Sequence, residues 1–194
     1  MKKVALVIGH NLRSQGAYSK KLNKTEYEYW KSIAEKISSE IDVVDVYERK
    51  SDCSYAREMR EVLKQINSKN YDYILELHFN SASSKKAKGS ECLCFWRNKK
   101  GQEKAARFME MLKEDFEIPT RRKWNKINGE IIETEGILLV QNSKVRGGYG
   151  ICNSKGTYIL LEPFFASNPE ESGKFKDKNL VANFFAKFIK EELS

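Results

Sequence analysis

The chain of 194 residues has only three prolines, eleven glycines and two histidines. So little proline and glycine excludes collagen-like and Pro-rich low-complexity chains. No apolar run approaches the roughly 18 residues that read as a membrane span, so no stable membrane insertion is expected. Val4–Gly9, after Met1-Lys2-Lys3, is too short for a secretory signal. His10 and Asn11 also stand where a small-residue cleavage site would be needed. The expectation is a protein made in the cytoplasm without a signal peptide. The four cysteines, Cys53, Cys92, Cys94 and Cys152, contain no C-x-x-C pair. Free thiols are therefore expected in place of disulfides, with Cys92 and Cys94 on one face of a strand. No internal repeat or linker-like stretch interrupts the chain, which reads as one domain over residues 1–194.

What is present supports a packed core. Hydrophobic residues make up 40% and aromatics 11%, which excludes wholesale disorder. Apolar runs alternate with helical patterns, the signature of an α/β fold. Val4–Ile8 is continuously apolar, as in a strand covered on both faces. Val43–Tyr47, Tyr73–Leu77, Glu91–Trp96 and Thr157–Leu161 read as further strands. Thr25 can cap a helix to about Glu40, with Tyr27, Trp30, Ile33, Ala34, Ile37 and Ile41 on one stripe. Tyr55, Met59, Val62, Leu63 and Ile66 mark a second helix. Ala105, Phe108, Met109, Leu112 and Phe116 mark a third, closed by Pro119. A C-terminal helix carries Leu180, Val181, Phe184, Phe185, Phe188 and Ile189. Residues 117–150 fit this plan least and read as an irregular insert, a β-hairpin flanked by mobile loops. They contain Arg121-Arg122-Lys123, Ile131–Val140 broken by Gly136, and Arg146-Gly147-Gly148.

Three apolar runs end in residues able to bind metal or move protons. Val-Ile-Gly ends at His10, Ile-Leu-Glu-Leu at His78, and Ile-Leu-Leu at Glu162. Ligands of open α/β sheets bind at the carboxyl ends of the strands. Parallel neighbouring strands would therefore bring these three side chains together; otherwise each is an isolated polar residue at a strand end. A hydrolytic zinc takes three N/O ligands and leaves a position for water. A further ligand is then needed, and Glu26 or Glu28, in the first turn of the helix after the His10 loop, can supply it. Glu76, on the same strand face as His78, and Glu91, on a neighbouring strand, are candidate partners for an imidazole N–H.

Several segments resemble one family, the zinc-dependent N-acetylmuramoyl-L-alanine amidases of the third type, especially those of phage endolysins. They are Val7-Ile8-Gly9-His10 with Gly16-Ala17, Thr25-Glu26-Tyr27-Glu28-Tyr29, and Glu76-Leu77-His78-Phe79-Asn80-Ser81-Ala82. Gly89-Ser90-Glu91 and Leu160-Leu161-Glu162-Pro163-Phe164-Phe165-Ala166-Ser167-Asn168 complete the set, which spans nearly the whole chain. The chain departs from many members in continuing His10 with Asn11-Leu12-Arg13.

The resemblance implies a single α/β domain of the phosphorylase/hydrolase-like kind shared with zinc exopeptidases. Its twisted, mostly parallel sheet would carry helices on both faces. It implies Zn2+ held by His10, Glu26 and His78, which selects Glu26 over Glu28, and Glu162 as the catalytic carboxylate. Asn80, beside His78, could hydrogen-bond the substrate backbone or brace the His78 loop, and bracing is the preferred reading. The implied reaction is hydrolysis of the amide between N-acetylmuramic acid and L-alanine in peptidoglycan. The expected protein is a monomeric phage or prophage lysin without a separate cell-wall-binding domain, reaching the wall after release. Lys+Arg 35 against Asp+Glu 27 gives a net charge of +8. That charge, with Lys85-Lys86-Ala87-Lys88 and Arg121-Arg122-Lys123, suits an acidic wall polymer. No nucleic-acid partner is expected, since no helix-turn-helix, zinc-finger or aromatic-basic RNA motif is visible. The alternatives are another zinc hydrolase on the same fold, such as an exopeptidase, and a non-catalytic basic binding module.

Overall fold

The computed structural model describes residues 3–51 and 53–193. In chain order the elements are β1 (Val4–Ile8), β2 (Tyr18–Ser19), β3 (Lys24–Thr25), α1 (Glu26–Glu40), β4 (Val44–Tyr47), α2 (Tyr55–Ser68), β5 (Tyr73–Leu77), β6 (Glu91–Phe95) and α3 (Lys99–Phe116). There follow β7 (Arg122–Ile127), β8 (Glu130–Glu135), β9 (Ile137–Val140), α4 (Gly148–Asn153), β10 (Thr157–Glu162), α5 (Pro169–Lys174) and α6 (Lys178–Glu192).

Six strands form one sheet in the order β4-β1-β5-β10-β6-β9. All pairings are parallel except β10 with β6. Every residue of β1 and β5 is buried, as the unbroken apolar run of β1 and the largely apolar β5 require of strands covered on both faces. On one face the side chains of Leu6, Leu75 and Ile159 pack beneath α1, α3 and α6 with Trp30, Phe108 and Phe185. On the other, Ala5, Val7 and Ile74 pack beneath α2 and α4 with Met59, Val62 and Ile151. Cys92 and Cys94 share the first of these cores, and Cys92, Cys94 and Cys152 are free thiols. No helix among the described residues is long and apolar enough to cross a membrane.

The start of α1 matters most for the site. Thr25 accepts from the Glu28 amide, while the Glu28 carboxylate accepts from the Thr25 amide, a capping box that satisfies two end donors. Glu28 is thereby committed to the helix end, and Glu26 is left facing inward, buried. Tyr27, Trp30, Ile33, Ala34 and Ile37 continue the buried stripe.

Residues 117–150 are more regular than their sequence suggests. β7 and β8 form the expected hairpin. After Gly136, however, Ile137–Val140 pairs with β6 and becomes the edge of the main sheet. Asn125 decides this: its side chain donates to the Ile137 carbonyl at 3.0 Å and accepts from the Leu139 amide at 2.7 Å, tying the hairpin to the edge strand. The short helix α5, which the apolar pattern did not indicate, is capped by Asn168 with Pro169 in its first turn.

Candidate metal centre and active site

β1, β5 and β10 are parallel neighbours, so their carboxyl ends lie side by side. His10, His78 and Glu162 leave those ends, and α1 begins there with Glu26. The four line one cavity of about 460 Å³, together with Arg49, Glu76 and Arg146. The juxtaposition comes from the register: Ile8 pairs with Leu77, and Leu77 with Leu161.

His10, Glu26 and His78 each present one ligand atom, and these atoms lie within 4.8 Å of one another. The carboxylate of Glu26 sits between the rings, 3.3 Å from His10 Nε2 and 2.9 Å from His78 Nδ1. Tetrahedral ligands about 2.0–2.1 Å from a zinc ion stand roughly 3.3 Å apart, so this spacing fits such an ion. The opposite ring nitrogens also fit. His10 Nδ1 faces the Ser14 carbonyl at 3.1 Å, and His78 Nε2 faces the Glu76 carboxylate at 3.1 Å. Acceptors of this kind fix the tautomer and orientation of a metal-binding imidazole. Glu76 is itself held by the Tyr158 hydroxyl at 2.9 Å. Gly9 makes room for the arrangement, because a Cβ there would overlap the His78 ring.

Electrostatics match the geometry. Burial opposes the charge on Glu26, but hydrogen bonds from His10 and His78 outweigh it and hold its pKa down at about 2. Burial likewise disfavours charge on His78, yet the carboxylates of Glu26 and Glu76 raise it to about 10. Without a cation, the proton thus stays on His78 and faces the ionised Glu26, a positive charge in the place a metal ion would take.

Glu162 is different. It is buried, and its Oε2 has no hydrogen-bond partner among the described residues. Burial pushes its pKa up to about 7, with Glu91 and Glu26 adding to the rise and Arg146 and His78 opposing it. A carboxylate poised near neutrality, with one free oxygen beside a cluster of metal-ligand type, can take and return a proton.

The remaining expected residues have definite places. At Asn80 the backbone N–H donates to Phe164 O and the backbone carbonyl accepts from the Ala166 N–H, tying the loop after β5 to the loop after β10, while the side-chain Nδ2 is buried without a hydrogen-bond partner among the described residues. Glu91 is bound by cations in place of an imidazole, pairing with Lys123 and with Arg121 at 3.0 Å. Part of the basic run 121–123 therefore serves the site's wall.

Sequence reasoning missed three features. The buried Arg49 donates to the Gly9 carbonyl at 2.6 Å and to Glu58 at 2.9 Å, and so anchors the peptide before His10. Glu171 accepts from the Gly89 and Phe165 amides at 2.7 and 2.9 Å. Arg146 contacts Glu162 directly. No local pattern marks the first two; an arginine followed by two glycines is a weak mark of the third.

With this geometry in view, the comparisons are decisive. The family model of N-acetylmuramoyl-L-alanine amidase matches residues 4–191. The chain belongs to the N-acetylmuramoyl-L-alanine amidase family. The amidase shares its fold with the catalytic domain of the CD27L endolysin targeting Clostridia difficile. That match has a TM-score of 0.73 and 23% identity over 98% of this chain and 97% of that one. The CwlD amidase from Clostridioides difficile, solved in complex with the GerS lipoprotein, has a TM-score of 0.71 and 18% identity over 100% and 98%. The catalytic domain of CwlV from Bacillus (Paenibacillus) polymyxa var. colistinus has 0.69 and 19% over 98% of both chains. Comparison with curated protein sequences finds no match. The expected fold, a mostly parallel α/β sheet between helices, and the expected enzyme class both stand. The reaction is hydrolysis of an amide bond of peptidoglycan.

Proposed function

We propose that this amidase is a zinc enzyme, with His10, Glu26 and His78 as the ligands and Glu162 as the general base and acid. The observation that carries the reading is the free, buried Oε2 of Glu162 in the same cavity as three convergent metal-ligand side chains. Zinc held by those three supplies Lewis acidity, polarising the amide carbonyl and bringing the pKa of water toward 7.

The protein groups do the rest. Glu162 removes the proton from the attacking water as its oxygen joins the lactyl carbonyl carbon. The carbon–nitrogen bond then breaks, and Glu162 returns the proton to the departing alanine nitrogen. Without that return the leaving group would be an amide anion, so one residue must serve both as base and as acid. Asn80 keeps the strand ends in register, and Glu76 and Ser14 hold the two imidazoles in the orientation the ion needs.

Product chemistry tests the reaction. After digestion of purified peptidoglycan, amine labelling should mark L-alanine at the start of otherwise complete stem peptides. No new reducing sugar ends should appear, since glycosidases require a carboxylate pair flanking the sugar bond. Labels confined to diaminopimelate, lysine or D-alanine would make the protein a peptidase. We propose further a lytic role, as a phage or prophage product made in the cytoplasm and reaching the wall after release.

Gly9→Ala probes the ligand geometry without touching a ligand. The added methyl overlaps the His78 ring, so zinc affinity should fall about 10–100-fold, the usual size when a ligand loses its orientation. Zinc titration against a chelating indicator, with the far-ultraviolet circular dichroism unchanged, is the expected pair of results.

A further inference from the structure

Between β9 and α4 the chain crosses the mouth of the cavity, and Arg146 lies on this crossing. Its backbone is anchored by the next residue. Gly147 has φ +67°, a left-handed conformation that glycine adopts without strain, and a Cβ there would stand 2.7 Å from Leu160 Cδ1, so glycine favours the loop's close approach to β10. The Arg146 side chain, in contrast, is 61% exposed. Nη2 contacts the Glu162 carboxylate and lies 3.4 Å from Asn80 Oδ1, and Nη1 lies 3.8 Å from Glu91 Oε1.

Glu91 does not need Arg146. Glu91 already has Lys123 and Arg121. The contrast with Arg49 is instructive: that guanidinium is 5% exposed and committed to Glu58 and the Gly9 carbonyl. The Arg146 hydrogen bonds all come from Nη2, to Glu162 and Asn80, so the rest of its exposed guanidinium is open to a further anion. It is placed to exchange its partner when a substrate anion arrives.

The substrate carries such an anion. The peptide released by this reaction begins with L-alanine followed by D-glutamate. The glutamate is joined onward through its side chain, so its α-carboxyl is either a free carboxylate or, in some walls, a carboxamide. Glu162 must reach the alanine nitrogen to return its proton. A group touching Glu162 therefore lies within about one or two residues, each roughly 3.5 Å of extended chain, of that α-carboxyl. Arginine's planar fork matches a carboxylate with two parallel hydrogen bonds, and a carboxamide offers only one acceptor oxygen.

We propose that Arg146 is a specificity-determining residue: it leaves Glu162 as the stem peptide enters and clamps the α-carboxylate of the second residue, selecting acidic over amidated stem peptides. The inference rests on Glu162 acting as the base at this site. The test compares kcat/KM on two soluble muropeptides that differ only in a carboxylate or a carboxamide at that position, for wild type, R146A and R146K. Wild type should favour the acidic substrate by about 10–100-fold, the size of a charge-assisted hydrogen bond. In R146A that ratio should fall to near one, with the selective loss mostly in KM, and R146K should be intermediate. A ratio near one in wild type, or one unchanged in R146A, overturns the proposal. Equal losses on both substrates overturn it as well and leave Arg146 a tuner of Glu162. Release of alanine amines from either substrate tests the amidase reading separately; cleavage of neither overturns both.

Discussion

Glu162→Gln is expected to keep zinc bound and to lower turnover on peptidoglycan by about 10²–10⁴-fold, the usual contribution of a general acid–base residue. The amide has the shape of the carboxyl group but cannot accept the proton of water or return it to the alanine nitrogen. Metal content by atomic spectroscopy and release of amines from purified peptidoglycan separate the two effects. Near-normal turnover would place the base elsewhere. The pH profile supplies a second check. The base works only when ionised, so activity must fall as pH drops through the Glu162 pKa. Burial raises that pKa to about 7. A bound cation nearby favours the carboxylate and lowers it, so the acid limb of kcat/KM should lie at or below about pH 7. Arg146 also favours the carboxylate, and removing it should move the limb upward. A limb that stays put in R146A would mean that the two side chains do not interact in the free enzyme, whose ionisations kcat/KM reports.

The second large effect is loss of the metal. One zinc per chain is the stoichiometry that a single set of three donors supports. Glu26→Ala, His10→Ala and His78→Ala should each lower zinc content and reduce activity to background, because two remaining ligands hold the ion poorly. Chelation of the wild type should do the same, with recovery when zinc is returned. Glu26→Ala and Glu162→Gln are thus opposite in one readout and alike in the other: the first loses metal and activity, the second activity alone. Full zinc occupancy in a protein carrying both His10→Ala and His78→Ala would overturn the ligand assignment.

Much of this was legible in the chain. The apolar runs of β1, β5 and β10 are bounded by the residues that form the site, because parallel strands buried on both faces are largely apolar and admit a polar side chain where, as at Glu76, His78 and Glu162, it meets partners near the carboxyl end. Thr25 and Glu28 form a local capping box, so the start of α1 was readable from four residues. Glu26 was another matter: composition treats Glu26 and Glu28 alike, and only the resemblance to a family separated them. The structure supplies the reason, since the cap occupies Glu28 and turns Glu26 inward between two rings.

Tertiary structure decided the rest. Strand order is set by packing between segments distant in sequence, so nothing local says that β10 lies between β5 and β6 or that β9 joins the edge. Arg49 and Glu58 look like ordinary surface charges until α2 packs against the sheet and buries them as a pair. Arg146 looked like part of an irregular insert, and its meaning depends on a partner sixteen residues away, Glu162, brought beneath it by the turn into β10. Periodicity and caps record interactions over a few residues. The charge pattern of this site is made by contacts across tens of residues, and those exist only once the sheet has formed.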